Sequence, residues 1–582
     1  MSGGCNEKGF GKLALNKSAI GVMGMKILIL GGYGTFGGRL AYLLAKDERL
    51  TLLIAGRSIQ KAKNFCESLP SGAQKTAVFF DRNANVEFQI QEINPDIVVD
   101  ATGPFQNYGD DPYRVIKGCI TNSVDYMDLA DGSDFVKGIS QFDREAKAQK
   151  IYVLSGVSSF PVLTAAVVRK LSQGMARINT IKGGIAPSPY AGVGLNVLRA
   201  IAGYSGKRIT LVRDGKQAAG YALTETMRYT ICPPGYMPLK NTLFSLVDVP
   251  DLQVLPELWP EVDSVWLGAG PVPEVLHRML ISLAWLVRLK ILPTLLPFAP
   301  LFQLVINVLR WGEHRGGMFV SVEGTDNGGK KIERSWHLLA EGGDGPLIPS
   351  MAVEAVVLHI LSGKKPSAGS RPATQELELE DYEVIFQNRT ISTGQRESKL
   401  DTNASLYQRI LGDAWKSLPT PLATLHNCAT KEQKAEGLAH VETGGSLLAW
   451  LIITLFGFPR AGQDIPVKVS FQPKEGGELW QRTFSSRTFS SFQWEGKGYF
   501  DKLLMERFGP FTFGLALVSE EEKLRLVIRH WSILGIPLPI SLAPHGDSFE
   551  YAADGFFCFY VEIKHRLTGL IVRYQGWLTP TK

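Results

Sequence analysis

The sequence predicts an α/β chain. A Rossmann-like doubly wound parallel sheet comes first, then an α+β inserted second domain, then a β-rich C-terminal domain. Three observations carry this. The apolar run Met25–Leu30 leads straight into glycines spaced G-x-G-x-x-G at Gly32, Gly34 and Gly37, and a helical pattern follows from Arg39. Further buried-strand runs recur roughly every 20–30 residues up to Leu154, with helical patterns between them. After Pro466 the pattern changes to short runs of alternating polarity. The chain has 582 residues, 45% apolar and 20% charged, enough to bury several cores.

Each element of the first domain has a chemical reading. Gly32 allows a tight turn, Gly34 lets backbone approach a pyrophosphate, and Gly37 lets helix pack on strand. Tyr33, Thr35 and Phe36 fill the same loop, and the free N–H groups of the helix start attract phosphate. The second strand, Leu50–Gly56, ends in Arg57-Ser58, with Lys61 one turn on. A dinucleotide site selective for a free ribose 2′-hydroxyl carries an acid here. A guanidinium instead suits a 2′-phosphate, so the expected cofactor is NADP. The third strand, Thr76–Asp81, places Asp81 at its carboxyl end, where it meets the adenine or caps the next helix. The fourth, Asp96–Ala101, is followed by Thr102-Gly103-Pro104 and Tyr108-Gly109, a loop expected to cross near the nicotinamide. The fifth is Val124–Leu129 and the sixth Ile151–Leu154. Tyr108 and Asp128 are the candidate proton donors, with Tyr126 and Asp131 behind them. A packed phenol and a loop cap are the competing structural readings.

In order and spacing, Gly31–Leu40, Ala55–Ser58, Thr102–Phe105 with Tyr108-Gly109, and Tyr126–Leu129 resemble the saccharopine dehydrogenase-like NADP-binding domain. The resemblance covers about 130 residues and implies a nicotinamide-dependent oxidoreductase. Phe105-Gln106-Asn107-Tyr108 stands where the saccharopine-making members are expected to carry an aromatic and a histidine after the proline, which puts an amino-acid substrate in doubt.

The domains are expected at 1–24 (a disordered tail), 25–160, 161–386, 387–404 (a linker) and 405–582. In the second domain, Ile178–Ile185, Thr210–Val212, Phe319–Gly324 and Ile332–Glu341 read as strands and Ile348–Leu361 as a helix. The resemblance implies that this domain closes the substrate cleft and pairs two chains as a homodimer. Val275–Leu309 is nearly all apolar. It reads as a membrane span, as a helical hairpin at a membrane interface, or as a buried helix pair or a lining for an apolar substrate. In the last domain Trp480, Arg482 and Phe484 share one strand face and Glu562, Lys564 and Arg566 another. That suggests an antiparallel sheet or half-open barrel, an arrangement that resembles an uncharacterised bacterial domain following saccharopine dehydrogenase-like modules.

Net charge is +6, spread along the chain without a basic run interleaved with aromatics, so no nucleic-acid partner is expected. The six cysteines and nine histidines show no CxxC or HExxH spacing, so no metal is expected and a reduced, cytoplasmic chain is read, with peripheral membrane contact through 275–309. The functional expectation is NADP-dependent hydride transfer to or from a hydrophobic or lipid-like small molecule. The alternatives are a non-catalytic NADP-binding scaffold at a membrane, and an amino-acid reductase using Arg199, Lys207, Arg208 and Arg213 for substrate carboxylates.

Overall fold

The computed structural model describes residues 24–398, 404–429 and 431–581; the expected tail, apart from Gly24, lies outside them. Six apolar runs form parallel strands: β1 Met25–Leu30, β2 Leu50–Gly56, β3 Gln74–Phe79, β4 Ile97–Asp100, β5 Asp125–Asp128 and β6 Tyr152–Ser155. β4 to β6 are buried along their whole length, as parallel strands covered on both faces must be. The sheet has seven strands in the order Gly369–Pro372, β6, β5, β4, β1, β2, β3. The order reverses between β1 and β4, and a crevice opens there beyond the strand carboxyl ends.

The seventh strand corrects the expected boundary at 386. Gly369–Pro372 pairs in parallel with β6, and the helix Ile348–Leu361 packs on the first helix, Thr35–Leu44, with Ser350 Oγ donating to the Phe36 carbonyl at 3.2 Å. The second domain is thus inserted between β6 and this return. Its core is a seven-stranded mixed sheet ordered Thr226–Tyr229, Thr242–Leu246, Ser264–Ala269, β7 (Arg177–Ala186), Gly316–Thr325, Lys331–Ala340, Ile391–Ser398. The last strand falls in the segment expected to be a linker. Its backbone pairs with Lys331–Ala340 from Ile391 to Ser398, and ladder bonds explain an ordered strand without an apolar period. The remainder of that segment, 399–403, is outside the described residues.

Val275–Leu309 folds as a hairpin of Glu274–Arg288 and Ala299–Val308. Among the described residues no helix is long and apolar enough to cross a membrane, which removes the spanning reading. One side, with Val287, Leu295 and Ala299, packs on Leu198 and Ala202 of the helix Leu195–Tyr204. The other leaves Met279, Ile291, Leu304 and Val308 more than 60% exposed.

In the last domain ten antiparallel strands close into a barrel, since Lys523–Ile533 pairs with both Phe511–Glu520 and Ser548–Ala553. Trp480, Arg482 and Phe484 do share a face, and it is the interior one. Of the other predicted trio, Glu562 and Lys564 do share a side and pair at 2.7 Å, while Arg566 lies beyond the strand end at His565. Two short helices, Leu406–Leu411 and Thr420–His426, fill one end of the barrel, and the helix Leu447–Leu455 covers the other. Arg396 fastens this domain to the second by donating to the Cys232 carbonyl at 2.7 Å and the Ile410 carbonyl at 2.9 Å.

Candidate functional site

A groove of about 660 Å³ crosses the carboxyl ends of β1, β2, β4 and β5 and continues between the first two domains. Gly31, not Gly32, makes the left-handed turn out of β1, at φ 70°. Gly32 is needed for space, because a Cβ there would stand 2.8 Å from the Ile29 carbonyl oxygen. A Cβ on Gly37 would collide with the Gly31 carbonyl, so the helix can approach the turn only as glycine. Gly34 is the N-cap of that helix; no side chain caps it and no acid lies in the first turn. Gly34, Thr35 and Phe36 line the groove, and the uncapped helix end faces it with partial positive charge.

Tyr33 lies across Gly56 at the end of β2, its hydroxyl accepting from the Ser58 N–H at 3.1 Å. Ser58 itself caps the next helix by accepting from Lys61 N, and it does not line the groove. Arg57 does line it. Its guanidinium is exposed and makes no ion pair or hydrogen bond among the described residues. Asp81 lines the groove wall, where its carboxylate accepts from Asn83 N at 3.0 Å and closes a turn; the next helix is capped by Asn85 instead. Beside Asp81 are two cations that the sequence reading passed over, Arg82 and Arg114, although Arg82 directly follows the third strand's terminal carboxylate. Arg82 covers the Tyr108 ring at 3.3 Å and donates to the Tyr108 carbonyl.

Thr102, Gly103 and Pro104 line the groove as expected. Tyr108 borders the groove, with its hydroxyl engaged in a buried cluster. Its hydroxyl donates to Asp100 Oδ2 at 2.6 Å and bonds Thr102 Oγ1, while Thr102 N and Oγ1 donate to Asp100 Oδ1 at 3.0 and 2.6 Å. Burial raises the Asp100 carboxyl, and burial with the Asp100 charge holds the phenol far above its usual range. This buried triad braces the loop after β4.

Asp128, by contrast, does not line the groove and is wholly buried. Its Oδ1 accepts from Ala130 N, Ser155 Oγ and Gly156 N at 3.0, 2.8 and 2.8 Å, while Oδ2 has no partner. Burial pushes this carboxyl up to about 7. Tyr126 is buried with its hydroxyl unpartnered and does not reach the groove. Asp131, three residues on, does face it. It is open to the groove's solvent yet walled by protein, and that desolvation raises its carboxyl to about 6, with the Asp248 charge adding to the rise.

The second domain supplies the opposite wall: Ile185 of β7, then Gly194, Asn196, Val197 and Ala200 at the start of the helix Leu195–Tyr204. Asn196 Nδ2 donates to the Gly103 carbonyl at 3.0 Å, and Arg39 donates to the Ala191 carbonyl at 2.9 Å, so this loop is fastened over the glycine turn. Arg199, Lys207, Arg208 and Arg213 do not converge here, and none lines the groove. No residue of 275–309 does either, which removes that segment as its apolar lining. Among the described residues no three His, Cys, Asp or Glu side chains gather as a metal site.

The groove fits a dinucleotide. The tight turn at Gly31 to Gly37 has no room for a Cβ at Gly32 or Gly37, an uncapped helix end faces the groove, and an unpartnered guanidinium marks its mouth. Residues 27–155 match the family described as saccharopine dehydrogenase NADP binding domain, and residues 418–578 match a domain of unknown function, DUF4166. No curated protein matches the chain. Among solved structures, apo saccharopine dehydrogenase (L-Glu forming) from Saccharomyces cerevisiae is 14% identical, with 65% of this chain and 100% of that one covered and a TM-score of 0.46. A meso-DAPDH mutant from Clostridium tetani is 13% identical over 61% and 95%, at 0.30. A probable dehydrogenase from Thermotoga maritima is 10% identical over 64% and 98%, also at 0.30.

Proposed function

We propose that this chain is an NADP(H)-dependent oxidoreductase acting on a hydrophobic, lipid-like small molecule. The observation that carries the cofactor reading is the open glycine cradle with a free Arg57, and no acid, at the end of β2. The match of residues 27–155 to an NADP-binding family supports the same reading. Gly34, Thr35 and Phe36 would hold the pyrophosphate, Arg57 the 2′-phosphate, and Thr102 to Pro104 the nicotinamide end. A nicotinamide held there supplies or accepts a hydride.

The protein's own part is to place a carbon, exclude water and carry a proton. Phe160, Ile185, Val197, Ala200 and Val249 give the inner groove an apolar wall, which supports a hydrophobic substrate. Asp131 is the proton carrier in this proposal: it opens into the groove, and its raised carboxyl exchanges a proton near neutral pH. Protonated, it gives the proton to a substrate oxygen or nitrogen during reduction; ionised, it takes that proton back during oxidation. The exposed apolar side of the 274–308 segment, with Lys290 in its connecting turn and Arg310 just past its end, supports peripheral contact with a membrane where such substrates reside. Titration calorimetry of the full chain with NADPH and with NADH tests the foundation. NADPH is expected to bind more tightly, and failure of both to bind would overturn the proposal.

A further inference from the structure

The barrel contains a second cavity, of about 540 Å³, whose residues do not overlap those of the dinucleotide groove. That volume lies within the ~300–1,000 Å³ of small-molecule sites. Its wall is built from inward aromatic and aliphatic side chains, Phe484, Phe489, Phe513, Ile528 and Phe559 among them. The charges on the wall are matched internally. Arg482 donates to Ser491 Oγ at 2.9 Å and lies 3.5 Å from Glu506, while Glu550 meets His426 at 2.6 Å. No wall cation is left to hold an anionic head group, so the space favours an uncharged chain.

The two ends of the barrel differ. At one, Tyr407, Leu422 and Leu425 are fully buried as a plug. At the other, the helix Leu447–Leu455 turns Leu448 and Ile452 toward the cavity and leaves Leu447, Trp450 and Leu455 exposed by 86, 63 and 73%. The helix is strung between Gly445, whose surroundings are open, and Gly457, at φ 68°. Around the same rim Leu534, Ile536, Ile540, Leu542 and Leu567 are exposed. Arg460, Arg507 and Arg566 are also exposed there and have no ion pair among the described residues. Apolar side chains ringed by free cations match an anionic bilayer surface.

We infer that the barrel is a receptor for one long acyl chain, taken from an anionic membrane through the rim that the helix Leu447–Leu455 covers. The chain lies among the inward aromatics and its head group stays at the mouth. This site is separate from the dinucleotide groove and does not depend on the reaction proposed there.

The full chain, freed of lipid, is titrated with cis-parinaric acid, an 18-carbon fluorescent fatty acid. One saturable equivalent is expected, unaffected by saturating NADPH, and Ile528→Trp is expected to weaken it at least tenfold. A diazirine-bearing 16-carbon fatty acid is expected to label peptides within 447–578, a readout that holds even if that variant does not fold. Lack of saturable binding, displacement by NADPH, or labelling confined to other peptides would overturn the site. Uptake of the probe is then compared from phosphatidylcholine vesicles with and without phosphatidylglycerol. Faster uptake from the anionic vesicles, slowed at least fivefold by Leu451→Ser with Leu455→Ser while binding of free probe is kept, supports the membrane route. Equal rates from both vesicles, or no effect of the double variant, would overturn that route.

Discussion

Replacing Arg57 by alanine tests the cofactor reading at its most exposed point. The guanidinium lines the groove and has no competing partner among the described residues, so nothing needs to be broken before a phosphate binds. A charge-assisted hydrogen bond contributes about 1.5–3 kcal/mol. Solvent screening at this open position favours the low end. At 1.4 kcal/mol per factor of ten, the NADPH dissociation constant should rise about tenfold to thirtyfold. NADH, which lacks the 2′-phosphate, should change by less than about twofold on the same scale. Because the site is open, the preference for NADPH should shrink when salt shortens the ~10 Å screening length of a 0.1 M solution. Arg57→Glu goes further: it repels the phosphate and offers an acceptor to a ribose hydroxyl, so preference should invert. Calorimetry with both cofactors at two salt concentrations reads all of this. Equal losses for NADPH and NADH, or an unchanged NADPH affinity, would refute the reasoning.

Four other outcomes follow from the geometry. With the Asp131 carboxyl near 6, the reduction rate should fall as pH rises through that value and the oxidation rate should climb; Asp131→Asn should abolish both limbs in a pH–rate profile. Tyr108→Phe removes a donor from buried Asp100 and should cost about 1–3 kcal/mol in denaturant melts while turnover changes less than about tenfold; a thousandfold loss of turnover would restore the phenol as acid. Gly37→Ala drives a methyl into the Gly31 carbonyl and should abolish dinucleotide binding by calorimetry while circular dichroism retains the folded spectrum. Asp128 rises from 3.8 to about 7 on folding, so its contribution is complete below pH 4 and lost as pH rises through 7, on the order of 4 kcal/mol. The melting temperature relative to Asp128→Asn should therefore drop across that window, and a flat difference would contradict it.

The first domain was legible because parallel strands are apolar along their length and the glycine turn leaves little conformational choice. Residue types could also place Arg57, since a strand end next to a glycine turn is a fixed location. Which carboxylate faces the groove was not legible. Asp128 and Asp131 are three residues apart, and the choice depends on how the loop after β5 folds against Ser155 and Gly156, a contact made across 27 and 28 residues of chain. The strand Gln433–Thr443 also escaped notice. Its buried positions include only Ala435, Ala439 and Val441, and Gly437 is pressed against the Trp577 carbonyl, so bulk that would mark a strand is excluded. The return of Gly369–Pro372 to the first sheet likewise shows no apolar run, because four residues of ladder hydrogen bonding suffice at an edge.

That return has a practical result for anyone cutting the gene. A fragment stopped at residue 155 would lack both the border strand beside β6 and the helix that shields Thr35–Leu44, leaving raw hydrogen-bonding groups and a bare greasy flank. Because the chain passes between host and inserted domain three times, after β6, before Ile348–Leu361 and again before Ile391–Ser398, the two are stitched along three seams. The inserted domain cannot be excised without joining the ends of its host and stripping its own border strand, Ile391–Ser398.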